Sequence, residues 1–167
     1  MKHISKKNLA LFLSILCLTS SLFIGCSTKP VEINYTEVSN HTTKKELVKQ
    51  LGGKADKKEE KDGLVSYSYT KSKYLDYEGT MTYYLSDDVV TFSRWEYKTN
   101  DKDECKKAYN AILSELEKKN KKGTQTKDKT SVTTIWNIDQ KTTTLVYTNG
   151  KELGNTISII NIDNTEK

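Results

Sequence analysis

Residues 79–98 read GTMTYYLSDDVVTFSRWEYK and contain the strongest strand pattern of the chain. Apolar and polar residues alternate on both sides of Asp87-Asp88, as is typical of two strands that each bury one face. A two-residue loop at Asp87-Asp88 would join these strands directly. The sequence therefore predicts an antiparallel β-hairpin centred on the two aspartates.

The register of this hairpin predicts which side chains share a face. A loop at the two aspartates places Leu85 opposite Val90 and Tyr83 opposite Phe92, so that the apolar sides coincide. The other face would then carry three aromatic side chains, Tyr84, Trp95 and Tyr97. If that face is uncovered, it forms an aromatic-rich contact patch for a protein or a glycan. The alternative is that a helix or further strands cover these side chains as core, as we also expect for Trp136.

Two helices are predicted on either side of the hairpin. Thr43 and Glu46 have the spacing of a capping box, and Gly52-Gly53 follows, which indicates a short helix at about 43–51. A second helix begins after Asn100 or Asp101. Its apolar stripe has helical spacing and comprises Cys105, Ala108, Tyr109, Ile112 and Leu116.

The remaining alternating segments predict six strands in two groups of three. These are 64–71, 79–86, 89–98, 130–138, 142–148 and 155–162. The charged stretch 54–63 is predicted to be a loop. Each group is expected to be antiparallel because its connections are too short for crossovers. We therefore expect an α+β domain of two helix-plus-three-stranded antiparallel meander units (αβββαβββ), with the helices packed on antiparallel sheet.

The amino-terminal residues resemble the signal segment of bacterial lipoproteins. Three lysines precede an apolar run from Leu9 to about Ile24, a pattern typical of a secretory signal peptide. The run ends in Ile24-Gly25-Cys26, which is similar to the lipobox of that family, although Phe23 stands where Leu is usual. The resemblance implies cleavage after Gly25 and lipid attachment, including a palmitate-like acyl group, at Cys26. An uncleaved membrane anchor is the alternative.

These features divide the chain into four parts. We expect a signal peptide at 1–25, a lipidated tether at 26–42, a single domain at 43–162 and a tail at 163–167. Val31, Ile33 and Tyr35 alternate within the tether, so that a short edge strand could form there. The protein is therefore expected to be exported and lipid-anchored on the outer side of the cell membrane, as on a Gram-positive-like surface.

A second resemblance covers residues 43–98. The helix sequence ELVKQLGG, from Glu46 to Gly53, the strand VSYSY, from Val65 to Tyr69, and the segment YYLSDDVV, from Tyr83 to Val90, are similar to one module. This module occurs in small outer-membrane-assembly lipoproteins and in the β-lactamase-inhibitor-like fold. The resemblance implies helices packed on an antiparallel sheet and a function in protein binding. It assigns no functional residue.

Composition excludes several classes of function. The formal net charge is +5, and three of these charges belong to lysines of the signal segment, which argues against a nucleic-acid binder. One of the two histidines, His41, lies in the tether, outside the predicted core, which disfavours a Ser/His/acid triad. The sequence has no Cys/His cluster for zinc and no phosphate-binding loop. We expect no metal, no cofactor and no catalytic residue.

The remaining nucleophile and acids have plain structural interpretations. Cys105 lies on the apolar stripe of its helix, so that a buried, inert thiol is expected instead of a nucleophile. The acidic groups are expected in a solvated loop and at a helix start; they are Glu59, Glu60, Asp101, Asp103 and Glu104. The favoured function is a non-enzymatic binding module for an envelope or secreted protein. An envelope hydrolase that uses carboxylates, and a structural or assembly accessory, are the alternatives.

Overall fold

The computed structural model describes residues 32–39, 41–150 and 154–164. The predicted signal peptide, at 1–25, and Cys26 therefore lie outside the described residues. In chain order the elements are β1 (Glu32–Asn34), α1 (Lys44–Gln50), β2 (Lys57–Lys61), β3 (Leu64–Tyr74), β4 (Tyr77–Ser86), β5 (Val89–Thr99), α2 (Lys102–Asn120), β6 (Thr124–Lys127), β7 (Ser131–Ile138), β8 (Lys141–Gly150) and β9 (Gly154–Asp163).

The nine strands form one mixed sheet. Its order is β1-β3-β4-β5-β9-β8-β7-β6, and β2 also pairs with β3. Because β4 occupies one edge of β3, the other edge is shared by β2, along the first part of the strand, and by β1, along the last part. The β1–β3 pair is parallel, and the other pairs are antiparallel.

The predicted αβββαβββ arrangement of an α+β domain is wrong. In chain order α1 is followed by β2 to β5 and α2 by β6 to β9, and all nine strands belong to a single sheet. The sequence KKEEK of β2 and the sequence TQTK of β6 are almost wholly exposed. Because such strands bury neither face, they show no apolar alternation, although their charged residues suit a protected sheet edge.

Both helix starts are confirmed. The Oγ1 of Thr43 accepts from the backbone N–H of Glu46, and the Thr43 N–H donates to the Glu46 carboxylate at 2.8 Å. The carboxylate of Asp101 caps α2 by accepting the N–H groups of Asp103 and Glu104 at 2.8 and 3.0 Å. The predicted stripe of α2 is buried at all five positions, Cys105, Ala108, Tyr109, Ile112 and Leu116.

The core lies between one face of the sheet and the helices. We call this the inner face, and α2 contacts it along β5, β8 and β9. Its fully buried side chains include Tyr69, Met81, Tyr83, Trp95, Ile157 and Ile159. The opposite face is the outer face. Its side chains alternate with those of the core along each strand and are half-buried in β4 and β5, where they are Thr82, Tyr84, Phe92 and Arg94.

The segment 35–39 crosses the inner face after β1. The Tyr35 ring packs edge-on against Tyr74 at 4.6 Å, and its hydroxyl accepts a hydrogen bond from the Asn161 amide. The Tyr83 hydroxyl donates to the Thr36 carbonyl at 3.0 Å. Residues 32–39 therefore pack on the domain although they belong to the stretch predicted to be tether, and the short edge strand expected there is β1.

Candidate functional site

A β-bulge in β5 decides which aromatic side chains are exposed. Leu85 pairs with Val90 as predicted, but Tyr84 and not Tyr83 pairs with Phe92. Thr91 is the additional residue, and it reverses the alternation for the rest of the strand. Phe92 therefore moves to the outer face, whereas the residues that alternate with it, including Trp95 and Tyr97, move to the inner face.

Trp95 and Tyr97 belong to the core, so the predicted patch of Tyr84, Trp95 and Tyr97 is not a single surface. Trp95 is fully buried, and Tyr97 is 8% exposed. The Tyr97 hydroxyl donates to the Glu104 carboxylate on α2 at 2.7 Å. Burial, with a smaller contribution from Glu104, raises the pKa of Tyr97 to about 12. The alternative of a helix-covered core is thus correct for these two residues.

Tyr84 is the member of the predicted patch that remains on the outer face. Its ring stacks on Phe92 with centroids 4.2 Å apart and an interplanar angle of 11°. Phe92 pairs in turn with Ile162 of β9, and Arg94 pairs with Ile160. We call this set the outer-face patch; it comprises Tyr84, Phe92, Arg94, Ile160 and Ile162.

A charged network borders the outer-face patch. Arg94 forms an ion pair with Glu96, and Lys98 lies 3.0 Å from the same carboxylate. The Arg94 side chain is only 13% exposed, because its neighbours on the sheet surround it. Burial, and then the nearby Arg94, lower the pKa of Lys98. The network places a fixed guanidinium beside the stacked rings, a combination common in protein interfaces.

A groove lies at the far end of α2, away from the outer-face patch. The groove, of about 470 Å³, lies between the end of that helix, the segment 35–39 and the β7–β8 turn. Glu37 and Lys119 form an ion pair across it at 2.7 Å. Trp136 is 3% exposed and donates its indole N–H to the Lys121 carbonyl, which confirms its predicted place in the core.

Cys105 and the acidic groups have structural surroundings. Cys105 is fully buried, and burial raises the pKa of its thiol to about 11. Glu104 accepts hydrogen bonds from Tyr97 and Thr99. Glu59 lies in β2, not in a loop, and pairs with Lys57 at 2.8 Å. Among residues 32–39, 41–150 and 154–164, no group of three or more potential metal-ligating side chains occurs.

The helices of the described ranges do not provide a membrane span. Neither α1 nor α2 combines the length and the apolarity needed to cross a bilayer.

Comparisons with known proteins give one distant similarity. No protein-family model and no curated protein sequence matches the chain. A solved structure of an extracellular protein containing an SCP domain from Bacillus anthracis str. Ames matches with 12% identity and a TM-score of 0.40. The match covers 77% of this chain and 48% of that chain, so this chain spans about half of that protein's length.

Proposed function

We infer that the chain is an extracytoplasmic lipoprotein anchored through Cys26, and that its sheet domain binds an envelope or secreted protein without catalysing a reaction. The anchor is supported by the apolar run that ends in Ile24-Gly25-Cys26. Two or more acyl chains on such a cysteine give stable membrane attachment, whereas one chain binds only marginally.

The observation that carries the binding role is the outer-face patch. The stacked rings of Tyr84 and Phe92 lie on the face opposite the helices, beside Ile160 and Ile162 of the neighbouring strand. Aromatic side chains and arginine are enriched in the buried centres of protein interfaces. The pairing of Tyr84 and Phe92 holds both rings in a fixed geometry before binding, which reduces the entropy lost on association.

The partner is expected to be a protein and not a small polar ligand. The outer-face patch is part of a sheet surface, and its half-buried apolar groups alternate with hydroxyl side chains such as Thr82 and Ser158. A sheet surface of this kind suits an extended contact with many small contributions, in contrast to the enclosed pockets that hold small molecules.

Affinity capture from solubilised envelopes tests this function. The lipidated protein is expected to retain a discrete partner. A Tyr84→Ala, Phe92→Ala variant should bind that partner at least about tenfold more weakly, since aromatic hot spots at interfaces typically contribute about 2 kcal/mol or more. Thr133→Ala is the matched control, because Thr133 lies in β7 on the outer face of the sheet, away from the two rings. Equal capture by the two variants would exclude the outer-face patch as the binding site.

Fractionation and intact mass test the anchor separately. The mature chain should begin at Cys26, carry a lipid adduct and sediment with membranes. Cys26→Ala should leave the protein unlipidated, either unprocessed or released. An unmodified Cys26 in the membrane-bound protein would contradict the proposed anchor.

A further inference from the structure

The tip of the β3–β4 hairpin carries an unusual residue. Leu75 and Asp76 form a two-residue loop between Tyr74 and Tyr77. Leu75 has a φ of 53° and is 47% exposed. Positive φ at such positions favours Gly, Asn or Asp, and for a bulky residue it is unfavourable. Leu75 is therefore both strained and exposed, and strain of this kind tends to occur at functional positions.

The position of this tip relative to Cys26 points to a partner. In β1, Glu32 pairs with Lys71 and Asn34 with Lys73, so that β1 lies beside the last residues of β3 before the tip. Six residue steps separate Cys26 from Glu32, and they span at most about 20 Å. The strand from Lys71 to Leu75 covers about 13 Å. A lipid-anchored Cys26 therefore holds the tip within reach of the bilayer surface.

We propose that Leu75 inserts into the surface of the phospholipid bilayer and orients the anchored domain; this proposal rests on the lipidation of Cys26. Leu75 supplies the apolar group, and the neighbouring Tyr77 has the kind of amphipathic ring that favours the level of lipid headgroups. The tip is held from behind by the core: Tyr74 packs against Trp95 at 5.7 Å, and Tyr77 packs against Tyr97 at 5.5 Å.

The charges beside the tip define the kind of contact. Lys73 pairs across the hairpin with Glu78, and Asp76 lies in the loop itself, so that the nearby Lys71 and Lys73 are balanced by two acids. A neutral tip of this composition inserts through its apolar group and not through attraction to anionic lipids. Insertion should therefore be similar in vesicles of phosphatidylcholine with and without phosphatidylglycerol.

The orientation agrees with exposure of the outer-face patch. Tyr84 lies seven residues along β4 from Tyr77, which corresponds to about 23 Å from the tip. With Leu75 in the bilayer surface, the rings of Tyr84 and Phe92 lie at the end of the hairpin away from the membrane. A partner outside the bilayer can then approach them.

Spin labelling of the full lipidated chain in vesicles tests the proposal. The labelled variant is Leu75→Cys, and the control is Ile138→Cys, because Ile138 is also exposed but lies at the opposite end of the sheet. Cys105 is buried and does not compete for the label. At position 75 the ratio of oxygen to nickel-chelate accessibility should rise severalfold on the vesicles, whereas at position 138 it should not change.

The outcomes separate this proposal from the proposed function. A lipid adduct on Cys26 with an unshifted ratio at position 75 overturns the tip contact alone. Absence of the adduct from the same sample overturns both. A ratio that rises only in the presence of phosphatidylglycerol also overturns the contact described here, because the neutral tip predicts no such dependence.

A glycine variant tests the role of the strain. Leu75→Gly relieves the positive φ and removes the apolar group. Its melting temperature should equal or exceed that of the parent. With Leu75 present, a spin label at Asp76→Cys should show a severalfold rise of the accessibility ratio on vesicles. In the Leu75→Gly chain the same label should lose that rise. A melting temperature several degrees lower would identify Leu75 as a packing residue and contradict the proposal.

Discussion

The indole nitrogen of Trp95 donates a hydrogen bond to the carbonyl oxygen of Ser72 at 3.1 Å. This contact joins β5 to β3 across the intervening β4, and it follows an irregularity in β3 between Tyr69 and Ser72. The irregularity in β3 and the bulge at Thr91 in β5 together determine the position of Trp95, the largest fully buried side chain. The same bulge leaves Tyr84 and Phe92 on the outer face.

Trp95→Ala and Tyr84→Ala should therefore have very different effects on stability. Loss of the buried indole should lower the free energy of unfolding by about 3 to 5 kcal/mol, because it leaves a cavity and an unpaired carbonyl. Tyr84→Ala should cost about 1 kcal/mol or less, since its ring is on the outer face. Urea unfolding monitored by circular dichroism measures both. Equal losses would contradict the assignment of the two faces.

Gly79→Ala should be destabilising for a reason specific to its surroundings. A Cβ at this position would lie 2.4 Å from the Glu96 carbonyl oxygen and 2.8 Å from the Trp95 ring. Backbone and core must both shift, at a cost of about 1 to 3 kcal/mol. Gly150→Ala is the matched control, because nothing lies within 4 Å of its Cβ and it has no positive φ. A comparable loss in the control would contradict this explanation.

Stability should fall as pH rises above about 10. Burial raises the pKa values of Tyr69 and Tyr74 from 10.0 to about 12, and it raises those of Tyr35 and Tyr83 further. Between pH 10 and 12 the unfolded chain therefore binds fewer protons than the folded chain. The stabilisation is complete below pH 10 and is lost through this range. Urea midpoints measured at each pH test the slope.

Tyr83→Phe provides the control for the alkaline effect. At pH 7 it should cost about 1 kcal/mol, because the hydrogen bond to the Thr36 carbonyl is lost. Since phenylalanine cannot ionise, the decline above pH 10 should be shallower than in the parent. An identical slope would show that the buried phenols do not cause the decline.

Cys105 should be unreactive in the folded protein. Its thiol is buried, and its pKa is raised from 9.0 to about 11, so that little thiolate is present at pH 8. In a Cys26→Ala variant that comprises residues 26–167, Cys105 is the one cysteine. A thiol reagent should label it only after urea unfolding. Rapid labelling of the folded chain would contradict its place in the core.

Local signals in the sequence predicted much of the fold, because they depend on neighbouring residues. Thr43 and Glu46 form their capping box within one turn, and the stripe of α2 depends only on helical spacing. The loop at Asp87-Asp88 and the Leu85–Val90 pair were likewise predicted, since both lie within one hairpin. The buried state of Trp136 was also predicted, and it lies on an alternating strand.

The face of Trp95 could not be predicted in the same way. A bulge changes the alternation by one residue, and the sequence from Val90 to Phe92 fits either face until α2 covers one of them. One signal for an apolar outer face was present in the sequence. Ile159 and Ile160 are adjacent in β9, so both faces of that strand carry apolar side chains. The edge strands β2 and β6 were missed because their polar sequences resemble loops.

The most direct test of the proposed function is photo-crosslinking in cells. A benzoylphenylalanine at position 84 should give one discrete adduct with an envelope or secreted protein, because the outer-face patch is the proposed contact. The same group at position 133, on the same face of the sheet, should give little or none of that adduct. Absence of an adduct at position 84, or equal adducts at both positions, would contradict the proposed function.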